Sequence, residues 1–91
     1  MKVEPVEIYS DETNRAIMRH PGRKFPGVLI QGDNLHSLCV EMELLCAELQ
    51  ARLGETPKAA RKISSALQTY LSHYKQVLDE HGSRLPFSEH P

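Results

Sequence analysis

The sequence predicts an α+β fold, a small antiparallel three-strand sheet followed by a long antiparallel αα-hairpin. Three observations lead there. Residues 33–53 and 58–81 each repeat apolar side chains at helical spacing. Only Gly54-Glu55-Thr56-Pro57 separates them, so the two helices must fold back on each other. The first 32 residues instead hold short apolar runs divided by polar or Pro-Gly turns, as a meander does.

Each element has its own local cause. VEPVEIYS alternates Val3, Val6 and Ile8 with polar neighbours, the pattern of a strand with one wet face, and Pro5 favours an edge because it lacks a donor. SDETNR reads as a turn. AIMR fits a strand or the end of a brief helix starting at Ser10 or Asp11; strand is preferred because GVLIQ follows and needs a partner. HPGR and KFPG each set Pro before Gly, as a type II turn requires, and GVLIQ reads as a buried strand. Asp33 is expected to N-cap the first helix, and Gly54 to end it in the left-handed conformation. Thr56 is the expected N-cap of the second helix, with Pro57 at its first position and Gly82 at its end. Residues 83–91 are expected to be irregular, with Leu85 and Phe87 docking on the core and the last residues fraying.

The faces set the packing expected. In the second helix a broad apolar stripe includes Ile63, Leu67, Tyr70, Leu71, Tyr74 and Leu78, with Lys, Arg, Ser and Gln opposite. In the first, Leu35, Leu38, Cys39, Met42, Leu45, Cys46, Leu49 and Leu53 form one stripe. A weaker second stripe holds Val40, Leu44, Ala47 and Ala51. A helix with two apolar sides needs two partners: the second helix, and either the N-terminal sheet or another subunit. Val40, Leu44, Ala47 and Ala51 are therefore the candidate interface.

Size and composition narrow the function classes. A 91-residue chain makes one domain with a thin core, here divided into a meander (1–32), a hairpin (33–82) and a tail (83–91). Net charge is −1, which gives no bulk electrostatic case for nucleic acid or membrane. No apolar run approaches the roughly 18–20 residues of a membrane span, and the N-terminus lacks a signal-peptide core, so a cytoplasmic location is expected. Cys39 and Cys46 are seven residues apart on one helix, about 10 Å along its axis. That is beyond the roughly 7 Å limit for a disulfide, so they read as small buried residues.

Few constellations suggest chemistry. Arg15, Arg19, Arg23 and Lys24, with His20, form a basic stretch ahead of a helix N-terminus, which suggests an anion or nucleic-acid contact. Against it, Asp33 stands where an anion would bind, and neither GxxxxGK[ST] nor GxGxxG is present. The preferred reading is a charged hairpin tip. Lys58, Arg61 and Lys62 open the second helix against its macrodipole. Glu48 and Glu55 are expected to compensate them; the sharper reading is a positive patch for an acidic partner. His36, Cys39 and Glu43 share a helical spacing that metal ligands can use, but Cys39 belongs to the core stripe and no CxxC or HExxH occurs. His73 falls on the polar face and His81 at the helix end. Tyr70 and Tyr74 read as core aromatics whose hydroxyls reach outward. No metal, cofactor or catalytic residue is expected.

The segment PGRKFPGVLIQGD at residues 21–33, ahead of a long helix, resembles a small bacterial family of uncharacterised proteins of about this length. The resemblance covers the middle of the chain and not its tail. It implies a compact standalone bacterial protein, and supplies no functional residue because that family has no assigned activity.

Three functions follow as expectations. The first is a non-enzymatic protein–protein interaction module, a homodimer or the binder of one protein partner. The second is anion or nucleic-acid binding through residues 15–24. The third is an immunity-type antagonist of one target.

Overall fold

The computed structural model describes residues 1–88. The order of elements is β1 (Glu7–Ser10), β2 (Ala16–Arg19), β3 (Gly27–Leu29), α1 (Gly32–Leu53) and α2 (Lys58–Glu80). They form two units, Met1–Gln31 and Gly32 onward. The expected α+β architecture, a three-strand antiparallel sheet and then a helical hairpin, is the one observed. The end of the tail, where fraying was expected, lies outside the described residues.

In the first unit β2 is central and antiparallel to both neighbours. Glu7 pairs with Arg19 and Ile8 with Met18; a bulge at Tyr9 then brings Ser10 opposite Ile17. Ala16, Ile17 and Met18 pair with Leu29, Val28 and Gly27. AIMR is thus a strand. Asn14 sits at φ 64°, in the left-handed region that Asn tolerates, and the Arg15 amide donates to the Glu12 carbonyl at 3.2 Å to close the β1–β2 turn. HPGR turns as expected: Gly22 lies at φ 83° and the Arg23 amide donates to His20 at 3.0 Å.

Three expectations for this unit fail. KFPG is not a second type II turn, because Gly27 already belongs to the ladder opposite Met18. The strand in VEPVEIYS starts only at Glu7, and Val3, Val6 and Ile8 are all exposed. β3 is an exposed strand rather than a buried one: it is an edge of three residues with one neighbour, and Val28, Leu29 and Ile30 stay open.

In the second unit α1 and α2 form the antiparallel pair. Gly54 ends α1 at φ 79° with its amide donating to the Gln50 carbonyl at 2.9 Å, the αL termination. α2 ends in a full Schellman motif: Ser83 donates to Leu78 (2.9 Å) and Gly82, at φ 65°, to Asp79 (3.1 Å). The N-termini differ from expectation. α1 begins at Gly32, and Asp33 accepts a hydrogen bond from the adjacent Asn34 amide at 2.9 Å rather than capping from outside. Pro57, not Thr56, is the N-cap of α2, and its carbonyl accepts the first helical bond from Arg61 at 3.1 Å. Thr56 instead turns its hydroxyl toward α1, 3.4 Å from the Cys46 carbonyl and 3.2 Å from Gln50 Oε1.

The hairpin core is small. Leu35, Cys39 and Leu71 are buried, with Leu67 and Phe87 packed against them. Phe87 docks as expected. A Cβ on Gly32 would overlap the ring of Tyr74, so the absence of a side chain there lets α2 lie close to the start of α1.

Candidate interaction face of the helical hairpin

Helical spacing gives the hairpin two unlike sides. Residues seven apart fall nearly in line on a helix, so His36, Glu43 and Gln50 form one row on α1, and Arg61, Gln68 and Lys75 one row on α2. These rows close one side. Gln68 Nε2 donates to Glu43 Oε1 at 2.7 Å. Phe87 returns from the tail to stack on His36, with centroids 4.1 Å apart and rings 6° from parallel. At the loop end, Gln50 Nε2 donates to the Gly54 carbonyl at 2.9 Å, and Cys46 Sγ lies 3.8 Å from the Ala60 carbonyl.

The opposite rows are apolar: Leu38 and Leu45 on α1, Ile63 and Tyr70 on α2. No part of the described tail is packed over them. Leu38 is 43% exposed, Leu45 45%, Ile63 53% and Tyr70 61%. Between the helices on this side runs a groove of about 550 Å³, floored by Met42 and Leu67 and edged by Glu41 and Glu48. Isolated exposed leucines need no explanation, whereas a contiguous apolar groove with a charged rim does.

Of the four residues predicted as an interface, Leu44 lines this groove and is 61% exposed. Val40, Ala47 and Ala51 are exposed but are not among its lining residues. The sequence reading missed Leu38, Leu45, Ile63 and Tyr70 because it assigned them to the core. The available signal was the width of the α2 stripe: one antiparallel neighbour covers a single seam and cannot cover a broader arc. Ala60, Leu67, Leu71, Tyr74 and Leu78 occupy that seam, and Tyr70, expected in the core, does not.

The expected compensation of the second basic cluster also fails. Glu48 pairs with Arg52 on its own helix at 2.8 Å. Among the described residues no ion pair engages Lys58, Arg61 or Lys62.

Two cations of the basic stretch of the sheet unit are paired with acids. Arg19 is bound to Glu7, its register partner on β1, and also donates to the Arg23 carbonyl at 3.3 Å. The hydrogen bond and charge of Glu7 push the Arg19 guanidinium above its ordinary value. Arg15, at the other end of β2 and about 13 Å away, pairs with Glu12 at 3.4 Å. Lys24 lies over the Phe25 ring, 5.4 Å from its centroid, and Arg23 and His20 border a separate groove of about 250 Å³ with Phe25, Met18 and Val28. Arg15 therefore lies apart, while Arg19, Arg23 and Lys24 gather with His20 at the other end of β2.

His36, Cys39 and Glu43 do not converge. His36 faces Phe87, Glu43 faces Gln68, and Cys39 is buried, its thiol pushed up by desolvation with a further contribution from Glu43. The described residues contain no cluster of three metal-ligand side chains, and no helix in them is long and apolar enough to cross a membrane.

A family model described as a family of unknown function (DUF6959) matches residues 1–87. No curated protein and no solved structure matches the chain. Since the match runs from the first residue through Phe87, the docked residue of the tail, the chain belongs to DUF6959, a family of unknown function.

Proposed function

We propose that this chain is a non-enzymatic protein–protein interaction module whose working surface is the open face of the helical hairpin, and that it self-associates or binds one protein partner there. One observation supports the reading above all: an apolar groove of about 550 Å³ with Leu38, Leu44, Leu45 and Ile63 left exposed along it. Covering such side chains is worth roughly 25 cal/mol per Å² of apolar surface removed from water, the same driving force that builds a core. The anion-binding alternative is weaker, because Glu7 and Glu12 already occupy Arg19 and Arg15. The proposal includes a bacterial, cytoplasmic setting without cofactor or metal, supported by the resemblance of residues 21–33 and by the lack of any phosphate-cradle or metal-ligand motif in the sequence.

Sedimentation equilibrium at rising concentration tests it. Wild-type chain is expected to associate, and Leu45→Glu to remain helical by circular dichroism while losing association. A wild type that stays monomeric at millimolar concentration refutes self-association. A Leu45→Glu chain that associates as before refutes this face.

A further inference from the structure

Resting on that reading of the hairpin face, we infer that its occupant is the same face of a second copy. The two hairpins are aligned with their loops at the same end, so that α1 of each protomer lies against α2 of the other in a four-helix bundle.

The rim charges select both the occupant and the alignment. The Cys46–Ala60 and Glu43–Gln68 hydrogen bonds set the two helices in register, which puts Glu48 at the level of Lys58 to Lys62. Glu41 and Glu48 edge the groove on the α1 side. On α2, Lys62 lies about 100° round the helix from Ile63, toward the side away from Leu71, and has no acidic partner among the described residues. The α1 rim thus carries Glu41 and Glu48, the latter paired with Arg52 on its own helix at 2.8 Å, and the α2 rim carries an unpaired cation at the height of Glu48.

Two hairpins can meet face to face by a two-fold axis in the plane of contact, either along the helices or across them. With the axis along them, α1 faces the partner's α2 and each of the two seams sets Glu48 against Lys62. With the axis across them, α1 faces α1, and Glu41 and Glu48 of both copies share one seam while both copies of Lys62 share the other. Like charges opposed in this way cost free energy. The geometry is also that of ordinary bundles, in which antiparallel neighbours pack by the same ridges and grooves.

The size fits. Helices of this length are about 33 Å long, and an interaxial spacing of 8–10 Å with side chains on either side gives a face about 20 Å wide. The resulting area, on the order of 700 Å² per copy, approaches the roughly 800 Å² per partner of a stable interface.

Charge reversal tests the alignment. Glu48→Lys alone and Lys62→Glu alone each place like charges on both seams, and each is expected to raise the dimer dissociation constant about tenfold. Mixed one to one, the two variants restore an opposite pair on both seams, so a heterodimer is expected with close to wild-type affinity. Both positions are exposed, and circular dichroism verifies folding before mixing. As a second readout, Glu55→Cys in the interhelical loop is expected to form an intermolecular disulfide on oxidation, suppressed by adding Leu45→Glu. If wild type associates and Leu45→Glu abolishes it, but mixing gives no recovery and Glu55→Cys stays uncrosslinked, the alignment is overturned and the interaction face stands. If wild type is monomeric, or Leu45→Glu associates normally, self-association through this face falls, and the alignment with it.

Discussion

Gly32→Ala should destabilise the hairpin even though it replaces glycine with the best helix former. A Cβ at this position would fall 2.5 Å from Tyr74 Cε1 and closer still to the outer end of the ring. Carbon atoms pack at about 3.5–4.0 Å, so the ring must move. Tyr74 is half-buried with its ring over Gly32, and turning it away gives up that contact with the start of α1. Overpacking of this kind costs about 1–3 kcal/mol. Replacing Gly by Ala in a helix returns up to about 1 kcal/mol, and less in the first turn. The net loss is about 1–2 kcal/mol, which lowers the midpoint of thermal unfolding by about 5–15 °C in a protein this small. The assay is urea unfolding followed by far-ultraviolet circular dichroism, with Tyr74→Leu and the double variant completing a cycle. Without the ring, Gly32→Ala should become neutral or stabilising, and the coupling should exceed about 1 kcal/mol. A Gly32→Ala chain as stable as wild type, or an equal loss with and without Tyr74, refutes the close approach.

Three further outcomes follow from the same structure. Leu71→Ala removes a buried side chain between Leu35 and Cys39 and should cost about 2–5 kcal/mol, whereas Ile63→Ala on the open face should cost far less in a monomer; chemical denaturation of dilute protein compares them. Gly82→Ala forces a side chain into the left-handed region that closes the Schellman motif and should cost about 1–2 kcal/mol, read as a loss of α2 end protection in hydrogen exchange. Burial, reinforced by Glu43 against a smaller opposing pull from Lys75, pushes the Cys39 thiol up. The folded chain therefore keeps a proton that the unfolded chain releases: the contribution is complete below the unfolded cysteine value, about 8.5, and is lost as pH rises through the folded value. Urea midpoints measured from neutral to alkaline pH should fall more steeply for wild type than for Cys39→Ala; parallel curves would contradict the burial of this thiol.

How far the sequence could be read depended on how local each cause was. Gly54, Gly82 and the Pro21-Gly22 turn act within four or five residues, and all three behave as their residue types require. The strand at AIMR followed from the need of GVLIQ for a partner, a pairing argument with one plausible solution. The helix starts were harder, because Asp33 and Thr56 each had more than one hydrogen-bond partner within reach. Thr56 was drawn to Cys46 and Gln50 across the loop. Burial was least legible. Val28 and Leu29 carry the composition of a covered strand, but an edge of three residues leaves them open.

The sequence by itself determined the two helices and their antiparallel fold-back, since apolar period and a four-residue connection leave no other arrangement, and it favoured strands before them. It also showed that the helices carry more apolar surface than one contact can cover. Only the tertiary structure decided which part of that surface stays uncovered. The choice depends on the rotation of each helix about its own axis, and that rotation is set by contacts distant in sequence: Tyr74 over Gly32, Gln68 on Glu43, Phe87 on His36. These contacts turn the rows at 36, 43, 50 and 61, 68, 75 together. By helical geometry alone, Leu38, Leu45, Ile63 and Tyr70 are then left facing outward.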